Sequence, residues 1–310
     1  MEKINENTPY KLVNENNEFA PIKKAFFYLD ENDRSFDDFT VGEALAQTGY
    51  TGEKRIKRIV GYVNDVLEKK NFYQFDKNRP FVGVFDYSIP NPKGTMIIAP
   101  GGGYFHVCCN EEGFDTATEA NKNGYSAFIV KYGVYPHAKF PEAQDDLANA
   151  IKFIYDKKNG FSVTENYDVI GFSASGHLVG LYGSKKYGYL HYGLKKPSHL
   201  IVAYPVVTMG EHTHEGTRDN LTNHSNDEHL LKEISVENNI DGDYPPTFVC
   251  RGIDDFVVPT INSDILVDTL KKYGVRHEYL IVPDTHHGYA MAYEASNYKW
   301  FHKVIEFIEK

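Results

Sequence analysis

From residue 81 onward, short runs rich in Val, Ile, Phe and Tyr alternate with stretches whose apolar residues recur at helical spacing, and nothing else in the sequence constrains the fold as much. The runs predict strands at Phe81–Ser88, Thr95–Ala99, Ser126–Tyr132, Tyr167–Gly171, Leu200–Val206, Thr247–Arg251 and His277–Val282. Several are almost continuously apolar, as strands covered on both faces must be. The first is expected to be an antiparallel edge strand. Between them, Glu142–Asp156 aligns Ala143, Leu147, Ala150, Ile151 and Ile154 on one face, and Ile261–Lys272 aligns Ile265 with Leu270. A last helix is expected over Asn297–Lys310, with Phe301, Val304, Ile305 and Ile308 inward. Strand and helix in alternation imply an α/β protein: a mostly parallel sheet, right-handed crossovers and flanking helices.

Two regions break the alternation. Residues 1–80 read as a partly helical N-terminal extension to the domain at 81–310, because Ile56, Ile59, Val60, Val63 and Leu67 recur at helical spacing within Lys23–Lys70. The first twenty residues, rich in Asn and Glu, read as disordered. Residues 208–244 form a polar stretch with one helical patch at Glu228–Ile234, expected to be a lid-like insertion.

The net charge of −10 gives no basic surface for nucleic acid or an anionic membrane. No apolar run is long enough to span a bilayer, and Met1–Lys11 lacks the apolar core of a signal peptide, so a cytoplasmic location is expected. A secreted chain with its signal removed would look the same. The three cysteines, Cys108, Cys109 and Cys250, are too few for a disulfide framework and read as buried small apolar groups.

The sharpest motif is Gly171-Phe172-Ser173-Ala174-Ser175-Gly176, directly after a predicted strand and before a helix. A nucleophile on a strand-to-helix turn needs small neighbours, because the turn is tight and strained at its centre. Ser175 stands where glycine is usual, which implies some crowding. Pro100-Gly101-Gly102-Gly103-Tyr104 follows another strand, and bare glycines let backbone N–H groups approach a ligand. The amides of Gly102, Gly103 and Ala174 are the candidate oxyanion donors. A phosphate cradle is disfavoured, since no Lys-Ser/Thr follows.

A carboxylate and then a histidine should follow the serine in chain order. Asp254 and Asp255 follow the strand Thr247–Arg251; Asp255, next to the turn into Val257-Val258-Pro259, is preferred. His286 and His287 follow the last strand, and His287, beside Gly288, is preferred as the base. Tyr104, Tyr132 and Tyr135 are candidates to line a substrate pocket. His212, His214, His224 and His229 lack the partners and spacing of a metal site, so no metal is expected. His177 reads as a helix residue packed beneath the serine.

On these residues the chain resembles the α/β-hydrolase superfamily, and within it the acetyl esterase and xylan esterase-like branch related to acetylxylan and feruloyl esterases. The resemblance rests on Pro100–Tyr104, Glu112-Gly113, Lys131-Tyr132, Gly171–His177, Tyr204-Pro205-Val206 and Thr213–Gly216, with Pro245–Phe248, Asp255–Pro259 and His287-Gly288. It departs from the lipase-like branch at Pro100, where that branch has histidine before its glycines. The resemblance implies a carboxylic ester hydrolase that uses Ser173, His287 and Asp255, forms an acyl-enzyme, needs no cofactor, and removes short acyl groups from carbohydrate or small-molecule esters. Feruloyl esters, amides or peptides on the same fold, and a silent binding protein, remain as alternatives. The expected partner is a small-molecule or oligosaccharide ester, and a homo-oligomer is compatible with the chain.

Overall fold

The computed structural model describes residues 3–17, 19–29, 33–79, 81–293 and 298–310. Residues 1–2, 18, 30–32 and 80 of the expected extension, and Asn297 at the start of the expected last helix, lie outside them.

Eight strands form one sheet: β1 (Phe72–Tyr73), β2 (Gly83–Tyr87), β3 (Gly94–Ala99), β4 (Tyr125–Lys131), β5 (Asp168–Phe172), β6 (His199–Ala203), β7 (Thr247–Gly252) and β8 (His277–Val282). Their spatial order is β1-β2-β4-β3-β5-β6-β7-β8. The β1–β2 and β2–β4 pairs are antiparallel, and every pair from β4 to β8 is parallel. β4 and β5 are buried along their whole length, which is why their sequences read as unbroken apolar runs. β2 is antiparallel as expected, but it is not the edge; the two-residue β1 covers it. Two residues carry no detectable alternation, so β1 has no signature in the sequence.

The helices are α1 (Tyr10–Asn14), α2 (Lys23–Phe27), α3 (Val41–Gln47), α4 (Glu53–Lys69), α5 (Thr116–Lys122), α6 (Glu142–Tyr155), α7 (Ala174–Tyr182), α8 (Glu215–Thr222), α9 (Glu228–Ile234), α10 (Ile261–Lys272) and α11 (Trp300–Ile308). Among the described residues, none is long and apolar enough to cross a membrane.

The N-terminal residues are not a loose appendage. Ile4, Tyr10, Val13 and Phe19 are buried, which corrects the expectation of disorder over the first twenty residues for those described. A few large apolar side chains with a surface to cover outweigh a polar average. α4 buries Ile59, Val60, Val63 and Val66, and α3 begins with a capping box in which Thr40 and Glu43 bond each other's backbone N–H. Phe26 of α2 stacks on Phe114 at 5.0 Å and meets Phe85 of β2 at 6.5 Å, so this segment and the sheet share one core. Phe114 belongs to a wide π-type turn, Cys109–Asp115, that leads into α5.

The insertion at 208–244 holds α8 and α9, and α8 had not been expected. Asn262 of α10 ties its start down: Oδ1 accepts from the Val207 and Thr208 N–H groups at 3.0 and 3.2 Å, and Nδ2 donates to the His212 carbonyl at 2.8 Å. Met209, Ile234 and Val236 of the insertion are themselves buried.

Candidate active site

β5 ends at Phe172, α7 begins at Ala174, and Ser173 makes the turn between them with φ 53° and ψ −121°. That left-handed conformation is strained for a residue with a Cβ and lifts the hydroxyl out at the carboxyl end of the sheet. The flanks are tight. A Cβ on Gly171 would lie 2.4 Å from the Ser175 carbonyl oxygen, and one on Gly176 would lie 2.4 Å from Pro205 Cβ. Ser175 itself is accommodated by hydrogen bonds, contrary to the crowding expected from the sequence. Its hydroxyl accepts from the Phe172 N–H at 2.7 Å and donates to the Ala99 carbonyl, joining the elbow to β3.

Ser173 Oγ lies 2.9 Å from His287 Nε2, and His287 Nδ1 lies 2.7 Å from Asp255 Oδ2. Asp255 Oδ1 accepts from the Val257 and Val258 N–H groups at 2.9 and 2.8 Å, and its side chain is only 2% exposed. These bonds fix the carboxylate, and with the proton on Nδ1 the carboxylate leaves Nε2 free to accept from the serine. Asp254 and His286 are exposed and lie outside this chain of bonds, with His286 Nδ1 at 3.2 Å from the Asp254 carbonyl oxygen.

Gly102 and Gly103 sit at φ 120° and 66° beside Ser173, and a Cβ on Gly102 would fall 2.3 Å from the His106 carbonyl oxygen. Among the described residues no acceptor is paired with the N–H of Gly102, Gly103 or Ala174. The Asn220 amide donates to the Gly103 carbonyl at 2.9 Å and holds the loop from the other side.

Tyr104 and Tyr132 do not line the cleft, which corrects their assignment as pocket residues. Both are 1% exposed. The Tyr104 hydroxyl meets His177 Nδ1 at 3.1 Å, and Tyr132 donates to the Pro100 carbonyl at 2.6 Å. Their rings support the glycine loop from beneath. Tyr135 is likewise outside the cleft, set edge-on to His224. His177 is buried under the serine as expected, its Nε2 2.7 Å from the Ile234 carbonyl oxygen. Of the cysteines, Cys109 and Cys250 are buried, but Cys108 is half-buried and faces the cleft. Among the described residues no group of three or more His, Cys, Asp or Glu could hold a metal ion. His214 instead caps α8, with Nδ1 accepting from the Thr217 N–H at 3.2 Å. Burial, and then the nearby His287, lower its pKa.

The sequence reading missed the role of Glu112. Its carboxylate accepts from the Gly101 N–H at 2.6 Å and from the Tyr204 hydroxyl at 2.8 Å, and that hydroxyl accepts in turn from the Ala290 N–H at 3.2 Å. One buried chain thus joins the glycine loop to the histidine loop. Burial raises the Glu112 pKa to about 7, against the lowering effect of its Tyr204 and Gly101 bonds. Because the folded state holds this proton more tightly than an unfolded carboxyl does, stability is lost as pH rises from the ordinary glutamate range through 7. The expected result is that wild type loses about 2 kcal/mol more unfolding free energy than Glu112→Gln between pH 5 and pH 8. Denaturant melts at the two pH values measure it, and parallel pH profiles would refute it.

A sheet of this order, with the serine after β5, the carboxylate after β7 and the histidine after β8, defines an α/β-hydrolase. The chain belongs to the BD-FAE family, whose model matches residues 89–270. It is 26% identical over 237 residues to endo-1,4-beta-xylanase B of Butyrivibrio fibrisolvens, covering 72% of this chain. To the acetylxylan esterase of Xylanibacter ruminicola it is 27% identical over 206 residues, covering 64% of this chain. The chain spans only 37% and 42% of the length of these two relatives. The crystal structure of an acetyl ester-xyloside bifunctional hydrolase from Caldicellulosiruptor lactoaceticus is 30% identical, superposes with a TM-score of 0.67, and is matched over 77% of this chain and 91% of that one.

Proposed function

We propose that this chain is a serine esterase that removes short acyl groups, acetyl above all, from carbohydrate esters. The reading is carried by the bonded series from Ser173 Oγ through His287 to the buried Asp255. Ser173 Oγ attacks the ester carbonyl carbon while His287 Nε2 takes its proton, and the N–H groups of Gly102, Gly103 and Ala174 receive the oxyanion. The carbon–oxygen bond to the alcohol then breaks, and His287 passes the proton to the departing oxygen. Water attacks the acyl carbon, gives a proton to His287, and the serine leaves with that proton as the carboxylic acid departs. No step asks for a metal or an organic cofactor. The names carried by the relatives, acetylxylan esterase and acetyl ester-xyloside hydrolase, support an acetylated sugar as the substrate.

Comparing acetylated xylo-oligosaccharides, feruloyl esters and aminoacyl amides on the purified chain tests this. The expected order of kcat/KM is acetyl ester first, with the amides at least 100-fold lower. Preference for the feruloyl ester or the amide would replace the acetyl assignment, and no turnover of any of them would sink the reading.

A further inference from the structure

The cleft in front of Ser173 encloses about 500 Å³. An acetyl group fills a small fraction of that, and clefts of such size hold ligands of several rings. The remainder is walled on one side by Tyr28, Thr48, Gly49, Tyr50 and Arg55, all upstream of the stretch that matches the family. The stretch that matches the family therefore holds Ser173, Asp255 and the glycine loop, while the N-terminal segment supplies one wall of the cleft.

This wall is built, not merely adjacent. Gly49 and Gly52, at φ 94° and 89°, turn the chain between α3 and α4, and the Tyr50 N–H returns to the Leu45 carbonyl at 3.1 Å. Tyr50 is 5% exposed, and its hydroxyl is bonded to that of Tyr28, whose ring packs 4.3 Å from that of His106 on the glycine-loop side. The Arg55 guanidinium lies 4.9 Å from the Tyr50 ring centre and makes a two-pronged pair with Glu111. Burial keeps both phenols neutral, far above their ordinary range.

The chemistry of the wall selects among occupants. Charges are matched: Arg55 pairs with Glu111, and Arg58 behind it reaches Asp115 at 3.0 Å and Glu111 at 3.6 Å. Such a surface offers no net charge to an acidic ligand. A long alkyl chain would take these polar groups out of water and offer them no bond in return. A sugar ring suits both parts, since its C–H faces pack on aromatic rings while its hydroxyls bond to guanidinium, carboxylate and phenol.

We infer that Tyr28, Tyr50 and Arg55 of the N-terminal segment form the leaving-group subsite of this cleft, and that it takes an uncharged sugar ring bearing the ester. The inference rests on the esterase reading for the direction of the substrate, and its test is arranged to separate the two.

Acetylated xylotriose and p-nitrophenyl acetate are compared on wild type, Tyr50→Ala and Arg55→Gln. The ratio of kcat/KM for the sugar ester over the aryl ester is expected to fall at least tenfold in each variant, mainly through KM. A smaller change in the ratio overturns the subsite, including the case where both activities fall together because the variant is damaged. Titration calorimetry of xylotriose into Ser173→Ala, with and without Tyr50→Ala, reads the same surface without turnover. Binding at least tenfold weaker in the double variant supports it, and equal binding overturns it. Tighter binding of a trisaccharide of the same length bearing a carboxylate overturns the uncharged class. Wild type inert toward both esters, with wall-dependent binding intact, would remove the esterase reading and leave the sugar site standing.

Discussion

Ser173→Ala is expected to lower kcat for p-nitrophenyl acetate by about 10⁵- to 10⁶-fold, and His287→Ala to cost nearly as much. The two losses should be similar because the residues act as a unit: without the imidazole 2.9 Å away, the serine hydroxyl has no acceptor for its proton, and without the hydroxyl the base has nothing to activate. The double variant should be little worse than either single one, and the residual rate is what the Gly102, Gly103 and Ala174 amides provide. His286→Ala is the control. Its ring is exposed, sits 5.7 Å from that of Phe256, and makes its bond to the Asp254 carbonyl rather than to the serine. It should change kcat by less than about threefold, as surface substitutions away from the chemistry do. Activity of Ser173→Ala within tenfold of wild type would remove the nucleophile assignment. Equal, mild losses in both histidine variants would mean that neither is the base.

What could be read in advance follows from how each feature is encoded. Strands β3 to β7 were legible because burial on both faces writes a nearly unbroken apolar run, and α4, α6 and α10 because one buried face writes a helical period. Ser173 was legible because its turn tolerates only small neighbours, which the clashes a Cβ would meet at Gly171 and Gly176 make concrete. The other features depend on distant parts of the chain. Nothing local distinguishes Glu112, buried on Gly101 and Tyr204, from a surface glutamate such as Glu165, which pairs with Lys195 in solvent. Tyr104 and Tyr132 have the composition of pocket residues, and only their bonds to His177 and the Pro100 carbonyl show that they support the loop from below. α8 went unseen because only Thr217, Leu221 and Thr222 are buried in it, too few for a period to emerge. The N-terminal wall is the extreme case. Tyr28, Tyr50 and Arg55 lie more than a hundred residues before the serine, and their meeting at the cleft is a property of packing alone.

The two adjacent aspartates offer the other large effect. Asp255→Asn should lower kcat by about 10⁴-fold while leaving the fold intact, and Asp254→Asn should stay within about threefold. The asparagine can still accept from the Val257 and Val258 N–H groups through its oxygen, as Asp255 Oδ1 does at 2.9 and 2.8 Å. That arrangement turns its NH2 group toward His287 Nδ1, where Asp255 presents an acceptor at 2.7 Å. The imidazole then keeps its lone pair on Nδ1 and its proton on Nε2, facing the serine hydroxyl with a donor where an acceptor is needed. Hydrolysis fails through the wrong tautomer, although every heavy atom is in place. The loss should therefore appear in kcat with little change in KM, and it should ease at high pH, where the serine and water ionise more readily without the base. Asp254 is exposed and offers His286 only its backbone carbonyl, a contact that the amide side chain leaves untouched. The reverse ranking of the two variants in kcat would move the orienting role to Asp254, against the 2.7 Å bond that now ties the imidazole to its neighbour.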